Sequence, residues 1–216
     1  MGFNSLLTIY KTNDVSRKGM LEMKKISVNE LINTDKYEKI RSAMRLEIMA
    51  HKAKRRVHIG PNATLYFEDY MTMKYQVQEM LRIEKIKDLV LIGEEIDAYN
   101  PLIPDGSNLK ATFMLEFEDE DDRREALGLL VGIEHKIWIQ VGEFEQVRPV
   151  CNEDLERSTA EKTSAVHFMR FEFSPAMIEA FKAGETVRLG SDHPEYNYLI
   201  ESLSDETQKT LINDFS

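Results

Sequence analysis

Between residues 54 and 68 the spacing of apolar side chains changes from the three-and-four of a helix to a strict two. That change constrains the fold more than any other feature of the chain. Val57 and Ile59 alternate with Arg56 and His58, and after Gly60-Pro61-Asn62 the residues Leu65 and Phe67 alternate with Thr64, Tyr66 and Glu68. Alternation on both sides of a Gly-Pro-Asn break is the pattern of a β-hairpin. The two-residue period returns at Ala111, Phe113, Leu115 and Phe117 and again over 165–173, with strand-like stretches at 136–141, 145–150, 186–190 and 196–202. Strands in hairpin order, not strictly alternating with helices, predict an α+β fold: a mainly antiparallel sheet with helices packed on it. A length of 216 residues fits a single domain, and a chain of that size buries a sufficient core without disulfide or metal.

Helical spacing marks the remaining elements. Ser27 with Glu30 three residues on forms a capping box for a short helix over 27–32, and Thr34 or Asp35 caps a longer one running to residue 54 through Tyr37, Ile40, Met44, Ile48 and Ala53. Helices are expected at about 72–86 and 87–99, the second ended by Pro101. The run 118–122 supplies carboxylates for the first turn of a helix to Leu130, where the helix dipole favours them. Ser174-Pro175 opens a helix to Lys182, and a capped helix over 204–214 closes the chain. Residues 105–108 and 192–194 read as turns. The polar stretch 152–164 is long for a structureless loop and is expected to be mobile or functional.

Charge and composition narrow the function. A formal charge of −10 argues against nucleic acid, whose binding depends on neutralised phosphates; the basic run 52–56 is explained by the end of a helix. No stretch is long and apolar enough to span a membrane. Cys151 is the single cysteine, so no internal bridge can form, and a reducing, cytoplasmic compartment fits. Met23-Lys24-Lys25-Ile26 resembles the start of a bacterial cytosolic protein; residues 1–22 are expected to be a poorly ordered extension, and 23–216 the domain.

Candidate chemistry concentrates in 76–104. On the first helix there, Gln76, Glu79 and Ile83 share one face, and Val77, Met80, Leu81 and Glu84 another, which places Glu84 on the stripe expected to be buried and Glu79 near its border. A buried carboxylate needs a partner, for which Arg82 and Arg55 or Arg56 are available. The result is either a structural ion-pair network or a pocket in which Glu79 or Glu84 joins Glu95 and a histidine. Tyr99 and Asn100, at a helix end, are either a turn device or binding residues. His167 falls on the strand face of Met169, Phe171 and Phe173, where a hydrogen-bonded core histidine is the ordinary expectation. No histidine pairs with another at helical spacing, so a metal site would have to be assembled from distant segments, and no metal ligand is assigned. Glu153 and Asp154 disfavour a thiolate at Cys151, although Arg148 works the other way. Ser164 has no nucleophile elbow around it, and catalytic residues are not identifiable.

Several of these segments occur in a familiar order. Phe67-Glu68, the stretches 76–84 and 94–104, Leu130-Val131-Gly132-Ile133-Glu134 and Thr163-Ser164-Ala165-Val166 together resemble an uncharacterised bacterial family, domain of unknown function 3501, from about Lys24 to the end. The resemblance carries no established activity. It implies a genomic setting beside rubrerythrin-like proteins and iron–sulfur oxidoreductases, and so an accessory or binding protein whose partner is a redox or iron–sulfur protein. The alternative is an enzyme with a carboxylate-lined pocket at Glu79, Arg82, Glu84, Glu95 and Asn100, one carboxylate acting as general base or as ligand to a metal. No cofactor or oligomeric state is implied. His167 departs from the glutamine that the family leads one to expect.

Overall fold

A computed structural model describes residues 24–215, and the expectation for residues 1–22 lies outside them. Among the described residues eight strands form two antiparallel sheets. The first has the order β1-β2-β3-β6-β5 and comprises Arg56–Ile59, Ala63–Glu68, Asn108–Leu115, Val166–Glu172 and Val150–Cys151. The second has the order β4-β7-β8, from Ile137–Val141, Val187–His193 and Tyr196–Ile200. The α+β expectation holds.

Register follows the alternation. Leu65 stands opposite Phe113, which stands opposite His167 on β6; Ile139 stands opposite Leu189 in the second sheet. These inward positions, with Phe67, Leu109, Phe171, Ile137 and Val187, form one buried core between the sheets. Helices α5 (Pro175–Lys182) and α6 (Asp205–Leu211), with the 3-10 turn Ile212–Phe215, close it. There Phe173, Phe181 and Phe215 meet edge to face at 5.2–6.4 Å. Tyr196 of β8 ties the second sheet to the β1–β2 turn: its hydroxyl accepts from the N–H groups of Asn62 and Ala63, each at 2.9 Å, and donates to Ile59 O at 2.6 Å. Gly60 in that turn has φ +66 and lies so near Tyr198 that a Cβ would stand 2.8 Å from the ring, so glycine is required twice over.

A helical layer has its own smaller core. Helix α1 (Thr34–Ala53) lies along α2 (Tyr70–Ile83), which packs on α3 (Leu89–Tyr99). Ile26, Met73, Val77, Leu81, Ile96 and Ile103 are its buried centre. Each helix starts at a side chain that accepts from free amides of the first turn: Asn33, Asp69 and Asp88. Helix α4 (Glu120–Leu129) begins likewise at Asp119, with Glu120, Asp121 and Asp122 in its first turn as its sequence implied.

Several boundaries differ from expectation, among them α2, which spans Tyr70–Ile83 and not 72–86. The cap of α1 is Asn33, one residue before Thr34, because its amide oxygen reaches Asp35 N at 3.0 Å. Only Val150–Cys151 of the stretch 145–150 pairs as a strand; Val147 makes a single bridge to Ile139. Asp192 and His193 belong to β7 and pair with Asn197 and Tyr196, so the turn lies at Pro194-Glu195.

Candidate functional site

The polar groups of 76–104 divide among different tasks. Gln78, 2% exposed, forms a reciprocal pair with the backbone of Ile32, accepting from its N–H and donating to its carbonyl, both at 2.8 Å. Asn100 does the same to Ile26, at 2.8 and 3.1 Å. Two amide side chains thus act as strand-like partners that fasten the segment before α1 across the helical layer. Glu30 of the same segment accepts from the Tyr70 hydroxyl at 2.6 Å, and the Lys24 ammonium lies 4.1 Å over the Tyr70 ring.

Glu79 is spent differently. Arg41 of α1 grips it with two bonds of 2.8 and 2.9 Å, the Tyr37 hydroxyl donates at 2.5 Å, and Arg82 donates at 3.2 Å. The Arg41 guanidinium, helped by Tyr37 and Arg82, holds its carboxyl down at about 2 against the opposing effect of burial. Burial and the facing carboxylate push the Tyr37 phenol up. This network bolts α1 to α2. Arg82 is therefore the partner foreseen, whereas Arg55 is not. Arg55 is 1% exposed and donates to the carbonyls of Phe67 and Glu68 and, at 2.5 Å, to Asp214. The basic run at 52–56 is thus a solvated helix end only in part.

Of the other predicted site residues, Glu84 is exposed: the helix stops at Ile83 and Glu84 is its C-cap, so the wheel that put it in the core no longer applies. Glu95 is half-buried on α3, one turn before Tyr99, whose hydroxyl meets Gln76. Burial, with a contribution from Glu95, raises the Tyr99 phenol. Glu79 with Arg82 is one group, Asn100 another, Tyr99 with Glu95 a third.

His167 lies elsewhere, fully buried beneath the loop 152–164. Its Nε2 is 3.0 Å from Ser164 O, a pure acceptor, which assigns the proton there; Nδ1 then accepts from the Asn152 amide at 3.0 Å. Beside it Glu134, 2% exposed, accepts from Ser158 at 2.5 Å and Thr163 at 3.1 Å. Burial lowers the His167 imidazole, outweighing the pull of Glu134. Burial also opposes the charge on Glu134, yet the Ser158 hydroxyl, its own backbone, His167 and Thr163 hold the carboxyl below its ordinary range. Cys151 donates to Glu134 O at 3.2 Å, and burial, reinforced by Glu134 and Glu153, pushes its thiol up to about 12. A cleft of about 440 Å³ opens above, lined by Glu134, His135, Cys151, Asn152, Glu156 and Ser158. Sequence reading singled out His167, Cys151 and the loop but missed Glu134; the signal was a lone carboxylate in an otherwise apolar stretch, Val131-Gly132-Ile133-Glu134.

His58 belongs to neither network, its Nδ1 lying 3.0 Å from Thr64 Oγ1 on the hairpin. Among the described residues no three histidine, cysteine or acidic side chains are grouped to hold a metal ion. Two openings border the helical layer: a cleft of about 480 Å³ lined by Lys24, Asp97, Asn100, Pro104, Asp105 and Lys110, and a groove of about 200 Å³ between α1 and α2, lined chiefly by Met44, Ile48, Tyr70, Met71 and Tyr75.

Comparison with known proteins fits this chain to one family. The model of a protein of unknown function, DUF3501, matches residues 25–215. No curated protein matches. A crystal structure at 1.90 Å resolution of a novel protein of unknown function from Burkholderia pseudomallei K96243 is 44% identical, with a TM-score of 0.85, covering 89% of this chain and 100% of that one.

Proposed function

This chain belongs to the DUF3501 family, and from that premise we propose that it is a cytoplasmic accessory protein that works by binding a redox or iron–sulfur partner. The observation that carries the binding reading is the exposed apolar surface of the helical layer. Leu46 is 75% exposed, Leu89 and Val90 69% each, and Ile83 and Leu91 about half, the last four gathered at the α2–α3 corner. Apolar side chains collected in this way mark interaction surfaces more often than solitary ones do. Meanwhile Gln78, Glu79, Arg82 and Asn100 are occupied in fastening the layer, so this stretch supports an enzyme with a carboxylate-lined pocket less well. No described helix is long and apolar enough to cross a membrane. The redox class of partner is what the family resemblance implies, and no feature of the fold adds to it.

Crosslinking in the bacterium of origin, followed by mass spectrometry of what is joined to the tagged chain, tests the reading. A rubrerythrin-like or iron–sulfur protein enriched over an untagged control is expected. Recovery of the chain joined to no such protein would overturn it.

A further inference from the structure

Helix α1 is twenty residues long and packs by one side only. Tyr37 and Arg41 bond Glu79 of α2, and Met44 and Ile48 line the groove with Tyr70 and Met71 of the same helix. At 3.6 residues per turn Leu46 points about 180° away from that stripe. Around it, Asp35, Lys39, Ser42, Leu46, Met49 and Ala53 recur at intervals of four and three along the outward side, and every one is exposed. That interval keeps a seam facing a second helix, and the small side chains Ser42, Ala50 and Ala53 let a neighbour come close to Leu46 and Met49.

Charge says which neighbour. The chain as a whole carries −10, but the outward side and flanks of α1 carry Lys36, Lys39, Arg45 and Lys52 against Asp35, Glu38 and Glu47, of which Glu38 faces Arg82 of α2 at 3.7 Å. None of these four cations is ion-paired with a described residue, whereas Arg41 is taken by Glu79, and Lys54 by Glu206 at 3.0 Å. A basic border around an apolar ridge, on an acidic protein, is complementary to an acidic amphipathic helix. A second copy of this chain fits poorly. Two α1 helices paired antiparallel about a twofold axis at Leu46 would bring Arg45 against Arg45 and Glu47 against Glu47.

We propose that the outward side of α1 docks an acidic amphipathic helix of a partner protein. This deepens the accessory-protein reading and rests on it, naming the surface and the chemistry that would recognise it.

The test uses two synthetic helical peptides with leucine at the seam positions, one flanked by glutamate and its twin by lysine, titrated into the full chain and followed by fluorescence anisotropy. The acidic peptide is expected to bind at least about tenfold tighter than the basic twin, which corresponds to about 1.4 kcal/mol. Leu46→Asp is expected to remove that binding with little change in Tm, since Leu46 is three-quarters exposed. The double variant Lys39→Glu, Arg45→Glu is expected to invert the preference between the twins. Equal binding of the twins, or binding that survives Leu46→Asp, overturns the proposal. So does self-association abolished by Leu46→Asp, which would give the face to a second copy, and so does competition by duplex DNA, which would make it a phosphate-binding face. Because no cellular partner enters the titration, its failure leaves the crosslinking result untouched, and a failed crosslink leaves the titration interpretable.

Discussion

The side-chain amide of Gln78 pairs with both backbone groups of Ile32, donating to one and accepting from the other at 2.8 Å. A stretch whose polar side chains suggested a site is thereby part of the scaffold. Gln78→Ala leaves two buried backbone groups unpaired, at a cost of about 1–3 kcal/mol each before water enters. Hydrogen exchange should show the Ile32 amide losing protection in Gln78→Ala and the Ile26 amide in Asn100→Ala, each with little change in the β-sheet amides. Unaltered exchange at both would show that the segment is held by its apolar contacts alone.

Glu79→Gln removes the anion that Arg41 and Arg82 share and leaves two guanidinium groups facing each other. The guanidinium groups stay about a quarter exposed, so water softens the loss relative to a fully buried ion pair, and the destabilisation is read from the shift of a urea melt. Acid should act in the same way. With its folded carboxyl at about 2 and an ordinary value of 4.5 when unfolded, Glu79 contributes stability that is complete above pH 4.5 and lost as pH falls toward 2. The acid limb of the stability curve should be correspondingly shallower in Glu79→Gln than in wild type.

His167 is buried as the neutral imidazole, so the unfolded chain binds its proton more readily than the folded one. Its contribution is complete above the ordinary histidine range and declines as pH falls through that range, the opposite of a histidine held in an ion pair. Nitrogen chemical shifts of the ring should report the Nε2–H form at neutral pH. An imidazolium signal there would show that Glu134, 3.9 Å away, and not burial, governs the ring.

Cys151 should be inert. With its proton given to Glu134 O and its thiol pushed up to about 12, iodoacetamide at pH 8 should modify it far more slowly in the native protein than in urea. Modification at the free-thiol rate would contradict the buried position.

Much of the fold was legible in the sequence because a two-residue period can bury only one face. Leu65, Phe113, Phe171 and Leu189 announce their strands and the side they present, and the caps at Ser27 and Ser174 stand where local chemistry places them. The site was less legible because its relationships are long-range. Nothing near Gln78 indicates that its amide is spent on Ile32, forty-six residues away, and Asn100 reaches Ile26 across seventy-four. Glu84 misled because the helical wheel was carried one residue beyond the end of the helix. The outward stripe of α1 was hidden by its own inward stripe: Tyr37, Met44 and Ile48 account for the periodicity, and Leu46 and Met49 are surplus to it.

Function on the outer surface of the helical layer, and not in the polar stretch that fastens it, is tested most directly by recovery of the crosslinked cellular partner by wild type, Leu46→Asp and Glu79→Gln, with the Tm of each. Leu46→Asp is expected to lose the partner with little change in Tm, and Glu79→Gln to melt earlier yet keep the partner below its transition. Partner retained by Leu46→Asp and lost by folded Glu79→Gln would contradict it and return the function to the Glu79 network.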